Sequence, residues 1–176
     1  MLEKLFEISL AKFFEREKKN IINGVAERNL CSRLGLYLEL EAERERLIGY
    51  YADVEYNRKQ NGEVKTILDG DYKVIRINCD LILHSRGEII SRDNLIAIEM
   101  KKVERPEVEK FNDINRLRAM TKKSYDNVWS FDGQTHPEHV CGYELGYFIE
   151  IDNVNNFYKV VKISSGEIIN STNGVF

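Results

Sequence analysis

The sequence predicts an α/β domain in which helices flank a central mixed sheet, with one extra helix at the amino end. Two observations predict it. Stretches with helical apolar spacing and stretches with twofold alternation follow each other in the order helix, strands, helix, strands. The stretch LIAI, residues 95–98, is apolar on both strand faces, the pattern of a central strand covered on both sides. With 176 residues and 43% hydrophobic content, one domain over residues 1–176 with a real core is expected.

Leu2, Leu5, Phe6, Ile8, Leu10, Phe13 and Phe14 predict a first amphipathic helix ending near residues 17–20. A second helix is expected over about 22–46, with Asn23, Glu27, Leu30, Cys31, Leu34 and Leu38 on one stripe. Residues 50–58, YYADVEYNR, alternate apolar and polar and read as a strand, and KQNG at 59–62 reads as a turn. From 63 to 84 the chain reads as a short strand, a turn at Asp69-Gly70 and a longer strand running to His84. SRGEIISRD connects that strand to the one at 94–101. Pro106 suits the first turn of a helix over 107–123, with Val108, Phe111, Ile114 and Leu117 as its apolar positions. CGYELGYFIEID and FYKVVKIS read as two further strands, and Gly166 and Gly174 as turn residues.

Composition narrows the function classes. A formal charge of −3 provides no global attraction to polyanions, so nucleic-acid contact needs a local basic surface or a metal ion. Three widely spaced cysteines without a C-x-x-C motif read as buried thiols in a reducing compartment. The first twenty residues interleave charge with apolar residues, unlike a signal peptide, and no apolar run approaches a membrane span. A soluble cytoplasmic protein is expected. No Walker-type glycine loop and no Ser-His-Asp order suggests itself.

The chemistry concentrates in NLIAIEMKK, residues 94–102. Residues two apart on a strand share a face and lie roughly 6.5–7 Å apart. Leu95, Ala97, Glu99 and Lys101 should therefore share one face, and Ile96, Ile98 and Met100 the other. An acid, any residue, then lysine also occurs at Glu17/Lys19, Glu63/Lys65 and Asp71/Lys73, but only Glu99/Lys101 closes a continuous apolar strand. In INCDLILH, Asp80, Ile82 and His84 should share a face, with Cys79, Leu81 and Leu83 opposite. If the connection folds back as a hairpin, antiparallel pairing brings Asp80 toward Glu99 and Lys101. Glu27, on the stripe expected to be buried, needs a cation, a hydrogen-bond network or a metal there. Two carboxylates converging at a sheet edge can hold a hard divalent cation such as Mg²⁺, and a neighbouring lysine can orient water or stabilise a phosphorane.

These residues resemble the signature of the PD-(D/E)XK, or restriction-endonuclease-like, nuclease superfamily. Its core runs helix, three strands, helix, strand (αβββαβ), with a helix glutamate, a strand aspartate and Glu-x-Lys on the next strand. The matching positions are Glu27 in VAERNLCSRLGLYLE, Asp80 in NCDLILH, and Glu99 and Lys101 in IAIEMKK, over about residues 22–150. Cys79 stands where a proline often precedes the aspartate. DVEYNR, residues 53–58, also resembles the strand leading into the site in small bacterial members. The resemblance implies a Mg²⁺- or Mn²⁺-dependent nuclease acting on nucleic acid, usually DNA. It implies Asp80 and Glu99 as metal ligands with the Met100 carbonyl, Lys101 beside the attacking water, and Glu27 completing the site. Small size and acidic charge suggest targeting by a homodimer or a partner protein. The superfamily also holds inactive members, so a binding or scaffold module is the alternative.

Simpler readings stand beside these. Glu99 and Lys101 also fit an ordinary ion pair at a strand end, and Glu27 a pair with Arg28, Arg33 or Lys101. Asp53 and Glu55 fit the solvent side of an edge strand better than an extension of the acidic site. His136 and His139 in HPEH are too few for zinc, His84 fits a satisfied polar group, and Arg58 is a distant candidate for a phosphate. The run 99–123 has eight basic against five acidic residues, which suits either a backbone-contacting surface or a solvated helix. Within it, Arg118 lies beside the apolar stripe and is a candidate to reach the site. Tyr125, Trp129 and Phe131 suit core packing more than base stacking.

Overall fold

A computed structural model describes residues 1–57, 66–68, 74–76, 79–122 and 141–176, with 66–68 and 74–76 given as backbone. Arg58, Lys65, Asp69-Gly70, Asp71, Lys73, Lys123, Tyr125, Trp129, Phe131 and the HPEH motif lie outside the described residues.

Helices α1 (Leu2–Ile22) and α2 (Glu27–Arg44) open the chain. The stripe Leu2, Leu5, Phe6, Leu10, Phe13 and Phe14 of α1 is buried, as its periodicity requires. α2 starts at Glu27, five residues later than its apolar stripe suggests, because the chain turns at Asn23 and at Gly24, whose φ is +72°. Asn23 therefore ends α1 and shares no stripe with Glu27. The helices are clamped where Glu17 accepts hydrogen bonds from Tyr37 Oη at 2.6 Å and Arg33 Nε at 2.8 Å.

Strands β1 (Tyr51–Val54), β4 (Leu81–His84), β5 (Asn94–Lys102), β6 (Leu145–Asp152), β7 (Phe157–Ser164) and β8 (Glu167–Val175) form one mixed sheet in that spatial order. β2 (Thr66–Leu68) and β3 (Val74–Arg76) pair separately as an antiparallel ribbon. Helix α3 (Glu107–Thr121) links β5 to β6, the parallel pair of the sheet, as a crossover must. The other main-sheet neighbours are antiparallel.

One core lies between the sheet and the first two helices, with Leu81, Leu83, Ile96, Ile98, Met100, Tyr147 and Ile149 facing them. At Gly35 an added Cβ would sit 3.1 Å from Leu81 Cδ1, so glycine there lets α2 approach the sheet closely. The second core lies on the other face, where Leu117 and Met120 of α3 meet Ile82, Ala97, Phe148 and Ile163. Two face assignments change. Leu95 packs in the first core, because the β4–β5 register slips between Leu83 and His84 and leaves it without a partner in the ladder. Cys79 packs with Ile82 in the second core, because the chain bends at Asp80 before β4 begins.

The carboxyl end holds the strand that alternation does not reveal. β8 is polar and almost wholly exposed, and it forms because Ser165 (φ 52°) and Gly166 (φ 83°) make a tight two-residue turn out of β7. Gly166 is thus a turn residue, whereas Gly174 lies in β8 opposite Tyr158. A Cβ at Gly174 would overlap the Tyr158 ring, which stacks on Phe14 with centroids 4.1 Å apart. Among the described residues, no helix is long and apolar enough to cross a membrane.

Candidate functional site

The site forms where β5 outruns its neighbour. The β4–β5 ladder ends at the pair Leu81–Ile98, yet β5 continues to Lys102. The backbone donors that the ladder leaves unpaired on that edge need acceptors. The Met100 N–H donates to Asp80 Oδ2 at 2.9 Å, and the Lys102 N–H donates to Glu27 Oε1 at 2.9 Å. Two carboxylates far apart in the chain are thus drawn to successive donors on one strand edge. A carboxylate satisfies such a donor better than a neutral group does.

Glu99 and Lys101 lie on the face of β5 turned toward α3. The Asp80 N–H approaches Glu99 Oε2 at 3.4 Å. Lys101 Nζ lies 3.4 Å from Asp80 Oδ2, 3.4 Å from the Met100 carbonyl oxygen and 3.0 Å from Asp113 Oδ2. Arg116 Nη1 donates to Glu99 Oε1 at 2.5 Å and to Asp113 Oδ1 at 3.0 Å. Asp80, Glu99, Met100 and Lys101 therefore meet at one strand end, and Glu27 is tied to the same end through the Lys102 amide. Arg28 and Arg33, offered as partners for Glu27, pair with Glu55 and Glu17 instead.

Sequence reasoning missed Asp113 and Arg116. The apolar positions Val108 and Phe111 of α3 are each 63% exposed, while Lys110 and Asp113 are buried. The first half of α3 turns its charged face to the sheet end because buried charges there find partners: Lys110 pairs with Glu150 at 2.6 Å. The signal available was Asp113 and Arg116 at i, i+3, one turn before the buried Leu117 and Met120. Arg118 points away, donating to the Gly166 carbonyl at 2.9 Å. Among the described residues of this run, Lys101, Arg105, Lys110, Arg116 and Arg118 each pair with an acid of the protein. That leaves less positive surface than the residue count suggests.

Burial and the nearby Asp80 push the Glu99 carboxyl well above its usual range, against the pull of Arg116. Burial works to lower Lys101, but Asp80 and Asp113 outweigh it and hold the ammonium charged above its ordinary value. Cys31 and Cys79 beside the site are pushed up by burial and by the same acids, so both thiols stay protonated. Among the described residues, three carboxyls, Asp80, Glu99 and Asp113, share two cations, Lys101 and Arg116, so the cluster holds more acids than cationic partners. Among the described residues, no three His, Cys, Asp or Glu side chains are grouped to hold a metal ion. Two carboxylates and the Met100 carbonyl suit a cation that takes few protein oxygens and keeps its waters, as Mg²⁺ does.

Asp53 belongs to a separate cluster. Its Oδ2 lies 3.0 Å from His84 Nε2, and Arg86 makes a two-pronged contact at 2.7 Å to each oxygen. Glu55 shares no strand face with Asp53, because β1 ends at Val54 and Glu55 turns to φ 54°. Burial raises the Asp53 carboxyl, but His84 and Arg86 outweigh it and hold it well below the usual carboxylate range. The folded value is depressed, so the stabilisation is complete above about pH 4 and is lost as pH falls toward the folded value. Asp53→Asn is expected to cost about 1–2 kcal/mol at pH 7, after allowance for screening on the Arg86 side. The cost should shrink at pH 3, as urea denaturation at both pH values will show.

Comparison of the chain with protein-family models, with curated proteins and with solved structures finds no match.

Proposed function

We propose that this chain is a metal-dependent nuclease that hydrolyses phosphodiester bonds in nucleic acid, with DNA as the substrate class. The observation that carries the reading is the meeting of Asp80, Glu99 and Lys101 where β5 runs past β4, one acid on β5 and one on the bend that leads into β4, with an amine beside them. The order α2, β1, β4, β5, α3, β6 around the main sheet supports a restriction-endonuclease-like core, with α1, the β2–β3 ribbon and β7–β8 added to it. The excess of carboxyls over cations in the cluster supports a divalent cation held by Asp80, Glu99 and the Met100 carbonyl. When bound, Mg²⁺ or Mn²⁺ supplies an acidified water and neutralises charge on the phosphate.

The remaining chemistry falls to the side chains. Lys101 is held protonated by Asp80 and Asp113, so it acts as a donor and not as a base. It steadies the attacking water or a non-bridging phosphate oxygen as the new P–O bond forms and the opposite P–O bond breaks. Glu27 keeps the end of β5 in place through the Lys102 amide. A homodimer or a partner protein would supply targeting.

One observation favours a second reading, a non-catalytic binding or scaffold module. Glu99 has no exposed side-chain surface and already has a cationic partner in Arg116. Calorimetry with Mn²⁺ separates the two. The nuclease reading expects Mn²⁺ binding that weakens about tenfold or more in Asp80→Asn. No binding by the unaltered chain, or equal binding by the variant, would favour the module.

A further inference from the structure

The acid at the bottom of the site is closed off by a guanidinium. Glu99 is 0% and Asp113 6% exposed at the side chain, whereas Asp80 and Arg116 are each 27% exposed. Anything arriving from solvent meets Arg116 and Asp80 before it meets Glu99. Both contacts of Arg116 on these acids use one nitrogen, Nη1, although a guanidinium carries five N–H donors in a fixed fork. A cation on the Glu99 carboxylate and the guanidinium on its Oε1 compete, because both are positive and both draw on the same carboxylate. Asp113 lies one turn away on the helix that carries Arg116, so the arginine can leave Glu99 without leaving the site.

From this geometry we propose that Arg116 is a latch on the cation site. It satisfies Glu99 in the cation-free protein. When a divalent cation takes Glu99, Arg116 stays on Asp113 and turns its other N–H donors to a phosphate oxygen of the bound nucleic acid. The inference rests on the nuclease reading and adds a regulation to it: cation entry and phosphate capture are coupled through one side chain. No covalent bond changes. The incoming charge repels the guanidinium, and the phosphodiester supplies the anion that receives it.

The test uses the full chain at pH 8, with Arg116→Gln and Arg116→Lys beside it. The glutamine variant is expected to bind Mn²⁺ about tenfold more tightly, because the competing charge is gone. At saturating Mn²⁺ it should cleave duplex DNA about a hundredfold more slowly, because a phosphate donor is lost. The lysine variant, which keeps the charge, should stay within about twofold of the unaltered chain in Mn²⁺ affinity and recover part of the rate. In the unaltered chain the Arg116 Nε–Hε NMR signal should shift as Mg²⁺ is added, and this readout decides the matter if the variants do not fold. Unchanged or weaker Mn²⁺ binding by Arg116→Gln, or an unmoved signal, overturns the latch alone when the unaltered chain binds Mn²⁺ and cleaves. An unaltered chain that does neither overturns both the latch and the nuclease reading.

Discussion

Under the nuclease reading, cleavage by Lys101→Met is expected to run about 10²- to 10³-fold below that of the unaltered chain, the cost of removing one preorganised donor from a reacting centre. Methionine keeps most of the stem and its burial while deleting the ammonium that lies between Asp80 and Asp113. The loss should fall on kcat at saturating Mn²⁺ and DNA, since a donor aimed at developing charge matters most in the transition state. Removing a positive charge beside Asp80 should leave Mn²⁺ binding intact or strengthened. A loss of rate together with a loss of Mn²⁺ binding would instead point to local collapse. Equal rates for the two proteins would remove Lys101 from the mechanism. Initial rates, Mn²⁺ calorimetry and circular dichroism on the same samples separate these outcomes.

Phe13→Ala is expected to cost about 3–5 kcal/mol in urea denaturation, the usual cost of emptying a buried aromatic position. A domain of this size has only about 5–15 kcal/mol in total, so the variant should lose a large share of its stability. Phe13 is fully buried in the first core, with its ring 5.1 Å from that of Phe14. α1 would then be integral to the cooperative fold. Phe111→Ala is the control: that side chain is largely exposed, and its loss should change stability by no more than about 0.5 kcal/mol. A small effect at Phe13 would mean that α1 unfolds independently of the sheet.

Much of the architecture was legible in local pattern. Helical spacing in Leu2–Phe14 and in Leu30–Leu38 marks the faces that the structure buries. The doubly apolar run before Glu99 marks the central strand, and the folded-back connection places Asp80 beside it. Pattern failed where a non-local partner overrode it. β8 has no apolar alternation and exists through pairing with β7. Val108 and Phe111 looked like a core stripe, but the charged face of α3 found better partners at the sheet end.

The identities of Glu27, Asp80, Glu99 and Lys101 and their order along the chain are properties of the sequence alone. So is the short spacing that sets Glu99 and Lys101 on one strand face. Only the tertiary structure decided that β5 extends past β4, which leaves amide donors that Asp80 and Glu27 satisfy. It alone brought Asp113 and Arg116 from α3 onto Glu99 and Lys101. The physical reason is that a strand's period places its own residues, whereas the environment of a buried charge is set by whichever distant segment neutralises it.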